Sequence, residues 1–215
     1  RITLTEQLLA WLASREQKPR VLLSGSAVGW YGDGGERELH EDSIQVTDDF
    51  AAQLCGAWEE TALRAEELGI RVVLLRTGLV LARDGGFLKR LLLPFKLGLG
   101  GPLGSGRQWM PWIHISDQIA LIDFLLQQEQ ARGPYNACAP QPVRNREFSQ
   151  ALGRELHRPA FMPAPAFALR LALGELSELL LGGQRALPTR LQAEGFSFRF
   201  THLDVALADL LGQPD

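Results

Sequence analysis

The stretch RVLLSGSAVGWYG, residues 20–32, decides how the rest of the chain is interpreted. It begins as a short apolar run, typical of a parallel strand buried on both faces, and it stops on three small residues, 24–26. Trp30 and Tyr31 follow closely. In an open α/β sheet, ligands bind beyond the carboxyl ends of the strands, where small residues let a flat ring lie against the backbone. The stretch therefore indicates either the floor of a ligand pocket or a plain loop that ends a strand.

The segments around this stretch alternate between helix and strand patterns. Residues 3–14 and 48–69 show the spacing of amphipathic helices, and residues 70–76 form a second short apolar run. The second helix is predicted to bury one stripe of side chains, made of Phe50, Leu54, Trp58, Ala62 and Ala65. Alternation of helix and strand is typical of right-handed crossovers. We therefore predict an α/β fold with a doubly wound parallel sheet.

The regular alternation of helix and strand patterns ends after about residue 78. We expect an irregular segment over 91–117, a Pro-rich turn with an apolar helix over 158–183, and an alternating strand over 196–200. These pieces predict a smaller, mixed α+β lobe of the kind that binds substrate. The predicted domains are 1–165, which includes segments of the second lobe from about 83–112, and a small C-terminal α+β domain over 166–215.

Composition excludes several classes of partner. The 215 residues are 46% hydrophobic and 22% charged, an ordinary balance for a globular protein. A net charge of −3 with scattered Lys and Arg gives no basic surface for nucleic acid or an anionic membrane, and no apolar run reaches the roughly 18 residues of a membrane span. Cys55 and Cys138 are too few for a disulfide framework and lack the spacing of a metal site, which favours a cytoplasmic location. A small-molecule ligand is the expected partner.

Longer stretches resemble a known family. LLRTGLVL (74–81), GLGGPLGSGRQWMPWIHISD (98–117) and GPYNACAPQPVRNREFSQAL (133–152) follow the Ser-containing turn in the order found in the extended short-chain dehydrogenase/reductase superfamily, nucleoside-diphosphate-sugar epimerase branch. GGQRALPTRLQAEGF (182–196) resembles the small C-terminal domain of unassigned function in an atypical epimerase-like subgroup. The resemblance implies a Rossmann-type fold, NADP as cofactor, and oxidoreductase or sugar-nucleotide epimerase activity.

One part of the superfamily's pattern is absent from this sequence. No Gly-rich turn follows a strand and opens a helix, although such a turn normally places the cofactor pyrophosphate on a helix N-terminus. The resemblance implies that about eighty to ninety residues of the usual fold, with the cofactor-phosphate half of the site, are absent from this chain. The chain opens on Arg1 and enters a helix-like segment at once, so two interpretations stay open: it is part of a longer protein, or it is an unusual gene product.

The acid/base residues also depart from the superfamily. There, a Tyr and a Lys lie four apart on the helix after the Ser loop, and the Lys lowers the pKa of the Tyr. The resemblance carries the Ser onto Ser26, the Tyr onto Cys55 and the Lys onto Glu59, and these three are the catalytic candidates. A carboxylate beside a thiol raises the thiol pKa, which is the opposite effect. The alternative is that Cys55 is a buried helix residue and Glu59 a solvated one.

The other candidates lie at the strand ends and in the second lobe. By the resemblance, the residues expected to contact the cofactor are Ser24, Gly25, Tyr31, Arg76, Thr77, Gly78 and Leu79. Those expected on the substrate side are Trp30, Arg107, Trp109 and Trp112, because Arg contacts a diphosphate and Trp stacks on a flat ring. The alternative is that the small residues simply end strands and the aromatic residues close an interface between lobes. His114 lies in an apolar strand and fits a buried structural residue better than a catalyst.

Three functional hypotheses remain open. The first is an NADP(H)-dependent oxidoreductase or epimerase-like enzyme acting on a small-molecule substrate, nucleotide-linked substrates included. The second is a regulatory protein that binds a dinucleotide without turnover, because the usual Tyr and Lys are absent. The third is a chain that binds no cofactor and pairs its open sheet edge with another chain, for example in a homo-oligomer.

Overall fold

In the computed structural model of the protein, the described residues are 1–47, 49–174 and 181–212. The helices within these ranges are α1 (Ile2–Ala13), α2 (Phe50–Leu63), α3 (Gly86–Lys96), α4 (Ile115–Gln127), α5 (Asn145–Glu155), α6 (Ala166–Leu173), α7 (Thr189–Ala193) and α8 (Leu203–Leu211). The strands are β1 (Val21–Ala27), β2 (Glu38–Leu39), β3 (Arg71–Thr77), β4 (Leu79–Leu81), β5 (Trp109–Met110), β6 (Trp112–His114), β7 (Gly133–Ala137), β8 (Val143–Arg144) and β9 (Arg185–Ala186). No helix in the described ranges combines the length and apolar character needed to cross a membrane.

A parallel sheet with the order β1-β3-β7 forms the centre of the first lobe. The central strand, β3, is buried from Arg71 to Arg76, as expected for an apolar run between two paired neighbours. The register places Ala27 beside Thr77 and Thr77 beside Ala137. The three carboxyl ends therefore meet at one edge of the sheet.

Helices cover both faces of this sheet. On one face, Val72 and Leu74 pack with side chains of α1 and α2. On the other face, Val73 and Leu75 pack with side chains of α4. Alternate residues of one strand thus pack against two helical layers, which confirms the predicted α/β, doubly wound arrangement.

The buried face of α2 differs from the predicted stripe. Ala62 is buried as expected, but Phe50 and Leu54 are 69% and 38% exposed. The helix instead turns Cys55 and Glu59 toward the sheet. The physical reason is that the sheet presents polar side chains to the helix at this end, and bulky apolar side chains would leave those groups without partners.

The second lobe has its own core and a mixed architecture. Leu88, Phe95, Trp112 and Phe148 lie at its centre, packed against residues of α8. β4 pairs with β6 in parallel and β5 with β8 antiparallel, which confirms the mixed α+β character. The C-terminal part of the chain also contacts the first lobe, because β9 pairs with β2. The division of the chain at residues 165 and 166 stays a prediction.

A helix occupies the start of the segment predicted to be irregular. α3 includes residues 91–96, with Pro94 inside it. Burial of Leu88 and Phe95 in the lobe core offsets the one backbone hydrogen bond that Pro94 cannot donate. Two parts of the predicted helices lie outside the described residues: position 48 and positions 175–180.

Buried polar groups hold the tail against the start of α4. The backbone N–H groups of Arg199 and Phe200 each donate to the Asp117 carboxylate at 2.9 Å. For this reason residues 196–200 do not form the predicted strand: part of their backbone is bonded to a side chain instead of a neighbouring strand. His114, 1% exposed, stacks on Phe200 with ring centroids 3.8 Å apart, as expected for a structural residue.

We predict that His114 makes the fold less stable in mild acid. Burial lowers its pKa, although Asp209 and Asp117 oppose the shift and Arg199 adds to it. Below about pH 6.5 the unfolded chain therefore takes up a proton that the folded chain resists, and the free energy of unfolding should fall by up to about 1.4 kcal/mol per pH unit. Urea unfolding at about pH 7.5 and about pH 5.5 measures this dependence. His114→Gln should flatten it, while the matched variant His157→Gln, at an exposed position, should not; an unchanged slope in His114→Gln contradicts the prediction.

Candidate functional site

Three polar side chains form a row across the carboxyl edge of the sheet. The register places Ser26 beside Arg76 and Arg76 beside Asn136, one residue before each strand ends. In-register neighbours on parallel strands point to the same face, so the row is continuous. The three residues are 7%, 3% and 0% exposed, respectively. Buried groups of this kind require partners from the layers above them.

Glu59 of α2 supplies the partner for two members of the row. Its carboxylate accepts two hydrogen bonds from Arg76, Nε to Oε1 at 2.9 Å and Nη2 to Oε2 at 2.8 Å, and one from the Ser26 hydroxyl at 2.7 Å. Burial lowers the pKa of Arg76, but the hydrogen bonds and charge of Glu59 outweigh it, so that the pKa is raised. Arg76 therefore remains charged, and both carboxylate oxygens of Glu59 accept hydrogen bonds from it.

Tyr31 and Trp30 enclose the Arg76 guanidinium. The Tyr31 hydroxyl lies 2.8 Å from the backbone oxygen of His40 and 2.8 Å from Asn136 Oδ1, and it accepts from Arg76 Nη1 at 3.2 Å. The guanidinium carbon lies 3.4 Å from the Trp30 ring centroid, a cation–π contact. Burial raises the pKa of Tyr31 to about 12, although Arg76 opposes the shift. Tyr31 is fully buried, so its hydroxyl belongs to this network and stays protonated at neutral pH.

Cys55 lies one helical turn before Glu59 and faces the same row. Burial raises the pKa of the Cys55 thiol, and the charge of Glu59 raises it further, against opposing hydrogen bonds from the Ala27 backbone and the Ser26 side chain. The direction agrees with the sequence-based expectation, with burial as the larger cause. The thiol is therefore not a ready acid or nucleophile at neutral pH.

Small side chains lie near the ends of β1 and β3 at the sheet edge. Gly25 is exposed, and a Cβ there would lie 3.2 Å from the Trp58 ring. Ser24 is buried, while Thr77 is half-buried with its hydroxyl 3.3 Å from the Leu75 oxygen. Gly25 is exposed, and Ala27 and Thr77 at the strand ends are partly exposed, so all three present atoms at the surface of this edge.

Gly78 and Leu79 connect the sheet to the second lobe. A Cβ on Gly78 would lie 2.4 Å from the Pro111 carbonyl oxygen, a distance that no side chain tolerates. The Leu79 N–H donates to the same oxygen at 2.7 Å. Both residues therefore have a structural task, which is to hold the two lobes close together.

The substrate-side candidates lie in different surroundings. Arg107 is exposed and Trp109 is half-buried, whereas Trp112 is fully buried and its indole Nε1 donates to the Gln141 oxygen at 2.9 Å. Trp112 packs in the core of the second lobe and presents no face to a ligand, which corrects the prediction that it stacks on a substrate ring. The correction has a simple cause: all three residues of β6 are buried, so the strand that carries Trp112 runs through the interior and has no side chain on the surface.

A surface pocket of about 600 Å³ lies away from these residues. Its walls come from a single segment at the end of α5: Gln150, Gly153, Arg154, His157, Arg158, Pro159, Ala160 and Phe161. None of the residues predicted to bind cofactor or substrate lines it. We therefore take the sheet edge and the facing surface of the second lobe as the candidate site.

Models of known protein families match two parts of the chain. Residues 1–138 match the model of the NAD dependent epimerase/dehydratase family. The chain belongs to this family. Residues 164–210 match a domain of unknown function, DUF1731. The predicted family membership, including its small C-terminal domain, is confirmed.

Individual relatives of this epimerase/dehydratase chain are similar over nearly all of it. The epimerase family protein SA0724 of Staphylococcus aureus (strain N315) is 41% identical over 211 residues, 98% of this chain and 70% of the relative. The epimerase family protein YfhF of Bacillus subtilis (strain 168) is 38% identical over 211 residues, 98% of this chain and 69% of the relative.

Solved structures of epimerase relatives confirm the Rossmann-type fold. The human epimerase family protein SDR39U1 (isoform 2), solved with NADPH, has a TM-score of 0.93 and 36% identity, covering 98% of this chain and 71% of the human chain. The nucleoside-diphosphate sugar epimerase from Corynebacterium glutamicum has a TM-score of 0.80 and 33% identity, covering 99% of this chain and 41% of that chain.

The three residues predicted to be catalytic lie together. Ser26, Cys55 and Glu59 form one buried cluster below the sheet edge. The interpretation of Cys55 as a buried helix residue holds, since it is 7% exposed. The interpretation of Glu59 as solvated is wrong, because it is 5% exposed and paired with Arg76. Catalytic roles for the three stay predictions.

Sequence reasoning missed Asn136 and the pairing of Arg76 with Glu59. Asn136 Nδ2 donates to the backbone oxygens of Leu39 and Leu187, at 3.2 and 2.9 Å, and so connects β7 to β2 and to the C-terminal segment. A signal was available, because both Arg76 and Asn136 interrupt buried strands. A polar residue in such a strand predicts a partner, although not which one.

Proposed function

We propose that the chain binds NADP(H) with the nicotinamide end at the sheet edge, and that it acts as an NADP(H)-dependent oxidoreductase or sugar-nucleotide-epimerase-like enzyme. The substrate is a small molecule, nucleotide-linked substrates included, and the location is the cytoplasm. The observation that carries the proposal is the TM-score of 0.93 to a human relative solved with NADPH. NADPH supplies hydride chemistry when it is bound.

The residues at the sheet edge fit a flat, polar ring. Gly25 exposes backbone without a side chain, and Thr77 adds a half-buried hydroxyl beside Ala27. We assign five residues to this wall of the cofactor site: Ser24, Gly25, Thr77, Gly78 and Leu79. Behind the wall, Arg76 and Tyr31 belong to the buried hydrogen-bond network, and Trp30 covers the Arg76 guanidinium.

Ser26 has a defined role in this proposal. Its proton is donated to Glu59 at 2.7 Å, so its oxygen is left to accept a hydrogen bond. A carboxamide N–H of the cofactor or a hydroxyl of the substrate would donate to it. Glu59 and Cys55 then act as positioning residues for Ser26, because Glu59 fixes the hydroxyl and Cys55 packs beside it.

A second candidate function is a dinucleotide-binding protein without turnover. The observation that favours it is that the Tyr31 hydroxyl and the Cys55 thiol, which lie beside the row, are weaker acids than usual. Burial raises the pKa of Tyr31 to about 12 and also raises the pKa of Cys55. Neither group readily supplies a proton at neutral pH, as the acid/base step of an enzyme requires.

We predict that NADPH stabilises the chain and that Ser26 contributes to its affinity. At about 100 times the dissociation constant, NADPH should add about 2.7 kcal/mol to the free energy of unfolding, seen as a rise in melting temperature. Ser26→Ala should weaken binding by about tenfold through the lost hydrogen bond, while Ser197→Ala, at an exposed position, should not. Isothermal titration with NADPH and with NADH compares the two cofactors.

The same samples separate the two candidate functions. NADPH is mixed with a panel of carbonyl compounds and its absorbance is followed. Turnover supports the enzyme, whereas binding with no turnover on any compound supports the binding protein. No stabilisation by NADPH or NADH contradicts both. Equal affinity in Ser26→Ala and Ser197→Ala contradicts the role given to Ser26.

A further inference from the structure

A cluster of two arginines and a tryptophan lies on the second lobe, outside the polar row. The Trp109 ring has the guanidinium carbon of Arg144 3.9 Å from its centroid and that of Arg185 at 4.8 Å. The three residues come from β5, β8 and β9, which are far apart in sequence. We call them the arginine–tryptophan cluster. Such a cluster is costly to assemble, because two cations are held near each other.

The anion that pairs with Arg144 comes from the other lobe. Glu36, on the turn before β2, forms an ion pair with Arg144 Nη2, and it accepts from Trp109 Nε1 at 3.4 Å. The Glu36 side chain is 75% exposed, whereas that of Arg144 is 23% exposed. The Arg144 side chain is thus largely enclosed by protein, whereas the Glu36 side chain lies mostly in solvent. An ion pair with one exposed member contributes little stability and is easily exchanged.

The cluster also keeps unused donor capacity. Arg185 Nη2 pairs with Glu38 at 3.0 Å, but within residues 1–47, 49–174 and 181–212 its buried Nε has no hydrogen-bond partner. A buried donor without a partner costs about 1–3 kcal/mol, which a bound acceptor would recover. Arg guanidinium groups bind oxyanions through pairs of parallel N–H bonds.

The Glu36 side chain lies on the exposed part of its turn. Gly35 has a φ of +55° with no atom within 4 Å of a built Cβ, whereas Gly34 is buried and its N–H donates to the Gly183 oxygen at 3.1 Å. The Glu36 carboxylate is therefore carried on an open, exposed turn. Moving it breaks the contact with Arg144 and Trp109 without disturbing a core.

We propose that the arginine–tryptophan cluster binds an oxyanion group of a small-molecule ligand, and that Glu36 is an internal competitor which holds Arg144 until the ligand arrives. The chemistry required of the ligand is a phosphate or a carboxylate. The proposal does not depend on NADP(H), since no residue of the polar row belongs to the cluster.

Inorganic pyrophosphate and malonate test the proposal and distinguish the two sources of charge. Each is titrated into the 215-residue chain while tryptophan emission is followed, and the Trp109 part is isolated with Trp109→Phe. We expect one of the two to bind. Glu36→Gln, which keeps the size but removes the charge, should tighten that binding by about tenfold, and Arg144→Ala should weaken it by about tenfold or more.

Matched controls come from a second exposed ion pair. Arg154 and Asp204 lie 2.8 Å apart on α5 and α8, outside the cluster, so Asp204→Asn and Arg154→Ala should leave the affinity unchanged. Arg144→Lys keeps the charge without the paired donors, and it should lie between wild type and Arg144→Ala. The NADPH affinity of Arg144→Ala should match wild type, which separates this proposal from that of the cofactor site.

The outcomes are decisive in both directions. The proposal is overturned if neither anion binds to wild type or Glu36→Gln, if Arg144→Ala binds as wild type does, or if Glu36→Gln gains no affinity. Far-UV circular dichroism of each variant checks that a loss of affinity is not a loss of fold.

Discussion

Glu59→Ala is expected to lower the free energy of unfolding by about 3–5 kcal/mol, because it leaves a buried guanidinium without its counter-charge. Arg76 and Glu59 have side chains only 4% and 6% exposed, so water cannot replace the missing carboxylate. The Ser26 hydroxyl loses its acceptor in the same variant. Urea unfolding, followed by circular dichroism, gives the value.

Two further variants make this result interpretable. Glu60→Ala changes the next residue of α2, which is exposed, and should change the free energy of unfolding by less than about 0.5 kcal/mol. The double replacement Glu59→Met with Arg76→Met removes both charges at similar volume and should recover most of the lost stability. A loss below about 1 kcal/mol in Glu59→Ala would mean that water or another group solvates Arg76, and the buried pair would then not be a structural centre of the site.

The fold was largely predictable because it is governed by local patterns. The apolar runs at 21–23 and 70–75 and the intervening helix pattern determine a parallel sheet with crossovers, whatever the side chains at the edge do. The face of α2 was not predictable from hydrophobicity. Periodicity favoured Phe50 and Leu54, whereas the structure buries Glu59, since a charged residue on the sheet opposite outweighs the preference for apolar contact.

The candidate site was predictable only in part for a related reason. Ser26 follows from its position at a strand end, whereas Cys55 and Glu59 came from the family resemblance, and their spacing of four residues predicts only that they share a helical face. The pairing of Glu59 with Arg76 depends on which strand lies beside which, and the contact of Glu36 with Arg144 depends on how two lobes meet. Neither relation is contained in spacing along the chain.

Trp112→Ala is expected to lower the free energy of unfolding by about 3–5 kcal/mol, because it leaves a large cavity in the second lobe. The side chain is fully buried beside Phe148 and Leu152, and its Nε1 donates to the Gln141 oxygen at 2.9 Å. If the residue instead served mainly to stack on a ligand, truncation would reduce ligand affinity and leave stability nearly unchanged. The two roles therefore predict opposite results in one urea titration.

Trp109→Ala is the matched control for Trp112→Ala, since the two residues lie three apart and only one is in the core. Trp109 is half-buried and contacts charged groups that water can solvate, so its truncation should cost less than about half as much stability. Trp112→Phe keeps the ring volume in part and loses the hydrogen bond, and a smaller loss of about 1–2 kcal/mol is expected. Equal losses for Trp109→Ala and Trp112→Ala would contradict the assignment of Trp112 to the core, because burial is the property that separates these two tryptophans.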